Sequence, residues 1–165
     1  MRLRPLEIKD AEGMLEWMHD SNVCEFMQRD FASMTIDNCK GFIESSRDMS
    51  EDMHLAAVND DDEYMGTVSL KHIDRDAGTA EFAITFRRCA MGTGISAFAM
   101  KEIIKKGLCE LGLDSVIWCV SRENLRANRF YEKNGYKKME CVPDKYKLLY
   151  PEWESMNWFE VKKGE

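Results

Sequence analysis

Apolar and polar positions alternate with two different periods along this chain, and the switches between them mark out its elements. Residues 2 to 6 (RLRPL) alternate as a strand does, and Ala11, Met14, Leu15 and Met18 then recur at helical spacing. Thr35 is placed to cap a second helix, in which Ile36, Cys39 and Ile43 share a face with Phe42 beside them. Two strands follow, His54 to Val58 and Tyr64 to Leu70, joined by the acidic run NDDDE at 59 to 63, which reads as a solvated hairpin turn. After a turn at Asp74 to Gly78, the segment TAEFAITF puts Ala80, Phe82, Ile84 and Phe86 on one face of a third strand and Glu81, Ala83 and Thr85 on the other.

The period then lengthens. A glycine-containing loop, RRCAMGTG at 87 to 94, opens a long helix whose stripe of Met100, Ile103, Ile104, Leu108 and Leu111 opposes Lys101, Lys105, Lys106 and Glu110. Gly112 helps to end it. Ser115 to Val120 reads as a compact apolar strand, Asn124 to Lys133 as a helix stopped by Asn134-Gly135, and Tyr136 to Val142 and Met156 to Val161 as two more strands. This order predicts an α/β (α+β) fold, a mixed, mostly antiparallel sheet of about seven strands flanked by helices.

The chain has 165 residues, which suits a single domain over 1 to 165, and its 44% hydrophobic and 32% charged content suits a folded core rather than disorder. Its formal net charge of −7 argues against a nonspecific grip on nucleic acid. No apolar run approaches the ~20 residues that span a bilayer, and the start MRLRPLEIKD lacks the apolar region of a signal peptide, so the expected setting is the cytoplasm, with no membrane partner. The six cysteines, at 24, 39, 89, 109, 119 and 141, form no C-x-x-C pair, and with the scattered His19, His54 and His72 they suggest reduced thiols and no metal site. Exposed strand edges leave a homodimer open.

The chemistry concentrates where strand passes through Arg87-Arg88-Cys89-Ala90-Met91-Gly92-Thr93-Gly94 into helix. Amides at a helix N-terminus bind anions, and glycines let a phosphate approach closely. A Walker A loop is excluded because no G-K-S/T follows the glycines. Gly92-x-Gly94-x-x-Ala97 does match a dinucleotide fingerprint, although that motif wants a parallel βαβ setting and this loop follows three apparently antiparallel strands. A second segment, Asn124 opening a helix that runs through Ala127 and Phe130 to Tyr131-Glu-Lys133-Asn-Gly135-Tyr136, lies downstream.

Taken together, the two segments resemble the GNAT superfamily of CoA-dependent N-acetyltransferases. In that family the phosphate loop carries Gln or Arg three residues before the first glycine, and Cys89 stands there in this chain. The opening RLRPLEIKDAEGMLEWMHDSNV is similar to the branch that includes the ribosomal-protein N-terminal acetyltransferases. The resemblance implies a central strand pair, Thr79 to Phe86 and Ser115 to Val120, that splays apart to admit acetyl-CoA as co-substrate, a β-bulge in the first of them suiting the splay. It implies cofactor contacts from Ile84, Thr85 and Phe86 to the pantetheine arm, from the amides of Met91, Gly92, Thr93, Gly94 and Ile95 to the pyrophosphate, and from Asn124 to the arm, with Arg87, Arg88 and Arg129 as nearby cations.

Two catalytic groups follow from the same resemblance. Tyr131 matches the tyrosine that protonates the departing thiolate, and a phenol of pKa ~10 is in its acid form at neutral pH. Glu81 is the candidate base for the amine, its alternative being a solvated carboxylate on a sheet face. The expected acceptor is a small-molecule or peptide amine, drawn toward Trp17, His19, Asp20, Glu25 or Trp158, none of which the sequence assigns to the site. A CoA-binding sensor without turnover and an enzyme using NAD or S-adenosylmethionine stay open as alternatives.

Overall fold

A computed structural model describes residues 1–165. Its centre is one seven-stranded sheet in the order β1-β2-β3-β4-β5-β7-β6. The strands are β1 (Arg2–Pro5), β2 (Met53–Val58), β3 (Tyr64–Asp74), β4 (Thr79–Phe86), β5 (Ser115–Ser121), β6 (Lys137–Lys138) and β7 (Met156–Lys162). Every neighbouring pair is antiparallel except β4 and β5. The helices are α1 (Ala11–Met18), α2 (Ser21–Cys24), α3 (Ile36–Ser45), α4 (Ile95–Lys105), α5 (Leu125–Lys133) and α6 (Asp144–Leu149), and none is long and apolar enough to cross a membrane.

Alternation along the strands divides the core. Val68, Leu70, Ala80, Phe82 and Phe86 face α4, whose Ile95, Ala99, Met100 and Ile103 close over them with Trp118, Tyr131 and Phe159. On the opposite face Ala56 and Val58 pack with Ala11, Met14, Trp17 and Met18 of α1 and with Cys39 and Ile43 of α3. Thr35 caps α3 as its position predicts, accepting from the Asn38 amide at 3.3 Å. At about 25 cal/mol per Å² of apolar surface, these two layers supply the main drive for closing helices over both faces.

The acidic run at 59 to 63 is the solvated hairpin turn expected between β2 and β3, and it is anchored too: Asn59 accepts from the amides of Asp61 and Glu63, and Asp62, at φ +61°, gathers Arg2, Arg4 and Lys9. Two sequence expectations change. The long helix does not run as one α-helix to Leu111 but widens to a π-turn over Lys106–Glu110, where an added Cβ on Gly107 would stand 3.1 Å from Leu70 and 3.2 Å from Val116. That close approach lets the widened turn seat Leu108 in the core. The strand expected from Tyr136 to Val142 shrinks to two residues, because Pro143 starts α6 and Tyr146 on that helix closes over Ile117 and Trp158.

The sheet parts in its middle. β4 and β5 pair only at Thr79–Ser115, Ala80–Val116 and Glu81–Ile117, after which their facing edges have no strand partner. The irregularity lies in β3, not β4: His72 and Ile73 together oppose Ala80, with His72 at φ +51°. Beyond the bulge β3 grips β4 tightly, and a Cβ on Gly66 would fall 2.5 Å from the Thr85 carbonyl oxygen and 2.6 Å from the Phe86 ring. Gly66→Ala is therefore expected to cost about 1–3 kcal/mol of stability, measured by urea denaturation, since backbone must move to admit the methyl. A loss under about 0.5 kcal/mol would show that the strand pair gives way freely.

Candidate active site

The loop between β4 and α4 is built to face outward. After a 3-10 turn at Arg88–Ala90, Gly92 and Gly94 take φ of +77° and +84°, conformations that side chains with a Cβ rarely adopt. Nothing in the chain lies within 4 Å of where either Cβ would be. The Thr93 hydroxyl donates to the Ala90 carbonyl at 2.6 Å and so stiffens the loop. The amides of Gly92, Gly94, Ser96 and Ala97 have no partner inside the chain, and they gather at the positive end of α4. This is the geometry of an anion cradle whose contacts come from main chain.

The expected cations are distributed differently. Arg87 spends its guanidinium on Glu16, at 2.6 Å, on Glu63, at 2.9 Å, and on the Tyr64 carbonyl. Arg88 is engaged with Asp20 at 2.6 Å, and that pairing holds the Asp20 carboxyl below its ordinary range. Both arginines thus tie the loop to α1 and α2. Arg129 is exposed on α5. Arg126, one turn earlier, reaches the Met91 sulfur at 3.6 Å and the Asn22 carbonyl at 3.4 Å, so it lies over the loop. Asn124 caps α5 by accepting from the Ala127 amide at 3.1 Å, and Asn128 donates to the Ser121 carbonyl at 3.0 Å, fixing α5 against the end of β5.

Ile84, Thr85 and Phe86 line the unpaired edge of β4 that leads from the loop into the gap. Glu81 stands where the gap begins. It is 3% exposed, which overturns the picture of a solvated carboxylate on a sheet face. The Tyr150 hydroxyl donates to its Oε1, Lys71 Nζ lies 3.8 Å from the same oxygen, and His72 Nε2 lies 3.6 Å from Oε2. Tyr131 belongs to the other face, its ring 5.4 Å from Trp118 and 5.1 Å from Phe159, and burial raises its hydroxyl above the ordinary phenol value. Glu81 and Tyr131 therefore lie on opposite faces of the sheet.

Tyr150, Lys71 and His72 escaped the sequence reading. The pair Tyr146 and Tyr150, four apart behind Pro143-Asp144, carries a helix signal, and that helix is what covers Glu81. The aromatic acceptor candidates are structural: Trp17 donates to the Tyr64 hydroxyl at 3.0 Å, and Trp158 donates to the Trp153 carbonyl at 3.0 Å. His19 is tied to the Met34 carbonyl at 2.8 Å. Cys119, beside Glu81 on β5, has its thiol pushed up to about 12, chiefly by burial, and stays neutral at physiological pH. No group of three His, Cys, Asp or Glu side chains is arranged to hold a metal ion.

Comparison with known proteins places the family and the fold. The family model described as an acetyltransferase (GNAT) domain matches residues 1–137. An uncharacterised N-acetyltransferase, p20 of Bacillus licheniformis, is 24% identical over 149 residues, covering 87% of this chain and 83% of the relative. A second, YnaD of Bacillus subtilis, is 23% identical over 164 residues, covering 92% and 94%. The fold is similar to that of a spermidine N-acetyltransferase from Vibrio cholerae solved with CoA and spermine, at 16% identity and TM-score 0.80 over 98% of this chain and 95% of that one.

Proposed function

Because the chain belongs to the GNAT acetyltransferase family, we propose that it moves an acetyl group from acetyl-CoA to a primary amine by direct attack, with both substrates bound together. A CoA-dependent N-acetyltransferase is the activity that the family supports, and the mechanism and residue roles are the added reading. The observation that carries it is the parting of β4 from β5 directly after Glu81 and Ile117. The gap starts at a buried carboxylate, passes Tyr131 and ends at the open amides of the glycine loop.

In this reading Ile84, Thr85 and Phe86 offer their free edge to the pantetheine arm, and Asn124 meets it from the start of α5. The free amides of Gly92, Gly94, Ser96 and Ala97 cradle the pyrophosphate, whereas those of Met91, Thr93 and Ile95, expected there from the sequence, already donate to the Arg88 carbonyl, the Ala90 carbonyl and the Thr93 hydroxyl. Main chain carries that contact, with Arg126 and Arg129 adding charge, because Arg87 and Arg88 already hold carboxylates. Glu81 accepts the proton of the attacking amine as the C–N bond forms, and Tyr131 gives its proton to sulfur as the C–S bond breaks. No acyl-cysteine is needed, and the neutral Cys119 is a poor nucleophile.

The acceptor is a small-molecule or peptide amine. A cleft beside His72 is lined by Glu51, Asp52, Asp74 and Asp76, which favours a cationic acceptor. Assignment to the ribosomal-protein branch rests on the likeness of residues 2–23 alone. Six free cysteines fit a reducing cytoplasm, and a homodimer through a sheet edge is compatible with the fold.

A thermal-shift titration tests the pocket before any acceptor is known, because a ligand that binds only the folded state raises stability by mass action. Acetyl-CoA and CoA are expected to raise Tm, and NAD and S-adenosylmethionine to leave it unchanged. Gly94→Ala should weaken acetyl-CoA binding about tenfold while costing the free protein only about 1–2 kcal/mol, because its methyl enters the space left for the ligand. A rise with NAD or S-adenosylmethionine and none with CoA would overturn the reading.

A further inference from the structure

We propose that His72 is the outlet through which Glu81 passes its proton to solvent, a positioning and relay role that rests on Glu81 being the base. A buried base must be emptied after each turnover, and Glu81 is enclosed on nearly every side. Its Oε1 is taken by the Tyr150 hydroxyl, with Lys71 near it. Its Oε2 is buried without a hydrogen-bond partner, and His72 Nε2 stands 3.6 Å away. The His72 side chain is 45% exposed, so one imidazole spans the distance from the enclosed oxygen to water.

The backbone holds His72 in this place at some cost. Only two non-glycine residues have positive φ, and the other, Asp62, has its carboxylate bound by three cations. The His72 imidazole has no comparable anchor. Its backbone is clamped instead: its amide donates to Asp52 Oδ1 at 2.8 Å, and the Ile73 amide donates to the Glu51 carbonyl at 2.9 Å. The charged groups around it are Glu81 on β4, Lys71 and Asp74 on β3, Glu51 and Asp52 before β2, and Arg75 and Asp76 in the following turn, with Tyr150 beside Glu81.

The proton balance is simple. The amine gives a proton to Glu81 Oε2, and the carboxylic acid transfers it to His72 Nε2, restoring the carboxylate and leaving an imidazolium. The imidazolium then releases a proton to water or buffer, and Tyr131, left as a phenolate once sulfur has its proton, regains one from solvent, so that one proton leaves and one returns in each turnover. The 3.6 Å separation closes to hydrogen-bond length with a small ring rotation.

His72→Asn is the informative variant, because asparagine tolerates the left-handed backbone and cannot carry the proton. With spermidine and a short peptide as test amines, kcat should fall at least about tenfold, less than the ~10²–10⁴ expected of a lost base in Glu81→Gln. The KM for acetyl-CoA should be unchanged, and added imidazole should restore the rate in proportion to its concentration. A full rate in His72→Asn beside a slow Glu81→Gln overturns the relay and leaves the base standing. A normal rate in Glu81→Gln removes the base and the relay together. A slow His72→Asn that imidazole does not rescue, with a lowered urea midpoint, makes His72 structural and also overturns the proposal.

Discussion

Tyr131→Phe is expected to lower kcat by about 10²–10⁴-fold and to leave the KM for acetyl-CoA within about threefold. The substitution removes one oxygen from a ring packed against Trp118, Phe130 and Phe159, so packing is retained and only the proposed proton donor is lost. Burial raises the phenol above its ordinary value, which keeps it protonated through the neutral range and places its own titration above pH ~10. An alkaline fall in kcat below that pH would therefore belong to another group. Steady-state thiol release at saturating amine checks the effect, and an unchanged kcat would remove Tyr131 from the chemistry.

The second large effect is on stability. Arg4 and Asp10, 9% and 2% exposed, share two bonds of 2.8 Å, and Asp10 also accepts from the Glu7 amide at 2.8 Å. Asp10→Ala leaves a buried guanidinium short of its main partner and the Glu7 amide without its acceptor, so the unfolding free energy should drop by about 3–5 kcal/mol. Asp62, 2.9 Å from Arg4, softens the loss toward the lower figure. Urea denaturation checks it, and a loss under about 1 kcal/mol would mean that water reaches Arg4 freely. The same cluster gives an acid signature. Hydrogen bonds from Lys9 and then Arg4 hold the Asp62 carboxyl down at about 2, against an unfolded value near 4. Its folded-state pKa is the lower one, so its contribution is complete above about pH 4 and fades as the pH falls toward 2.

Elements with a clean period were legible in the sequence. The alternation of TAEFAITF gave β4 its two faces, and the spacing of Met100, Ile103 and Ile104 gave α4 its buried stripe. The glycine loop and the Asn124 cap stand where the motifs put them. What failed was whatever depends on a distant covering segment. Alternation shows that Glu81 points away from Phe82, but not that Tyr150, 69 residues later, will lie over it. Charge alone marks Arg87 and Arg88 as cations near a phosphate loop, yet Glu16, Glu63 and Asp20 claim them once α1 and α2 are in place. The π-turn at Lys106 is invisible to a helical period because a widened turn keeps apolar residues on nearly the same face.

The three-rung join between β4 and β5 also bears on how such a protein can change over time. Main-chain amides and carbonyls come with every residue type, so a ligand seated along an unpaired strand edge asks little of the side chains beside it. In the proposed seat those positions can vary as long as the backbone path is kept, which rests on the glycines of the loop and the bulge in the neighbouring strand. A cofactor seated there as proposed would leave such a protein room for extensive rewriting of sequence around an unchanged backbone.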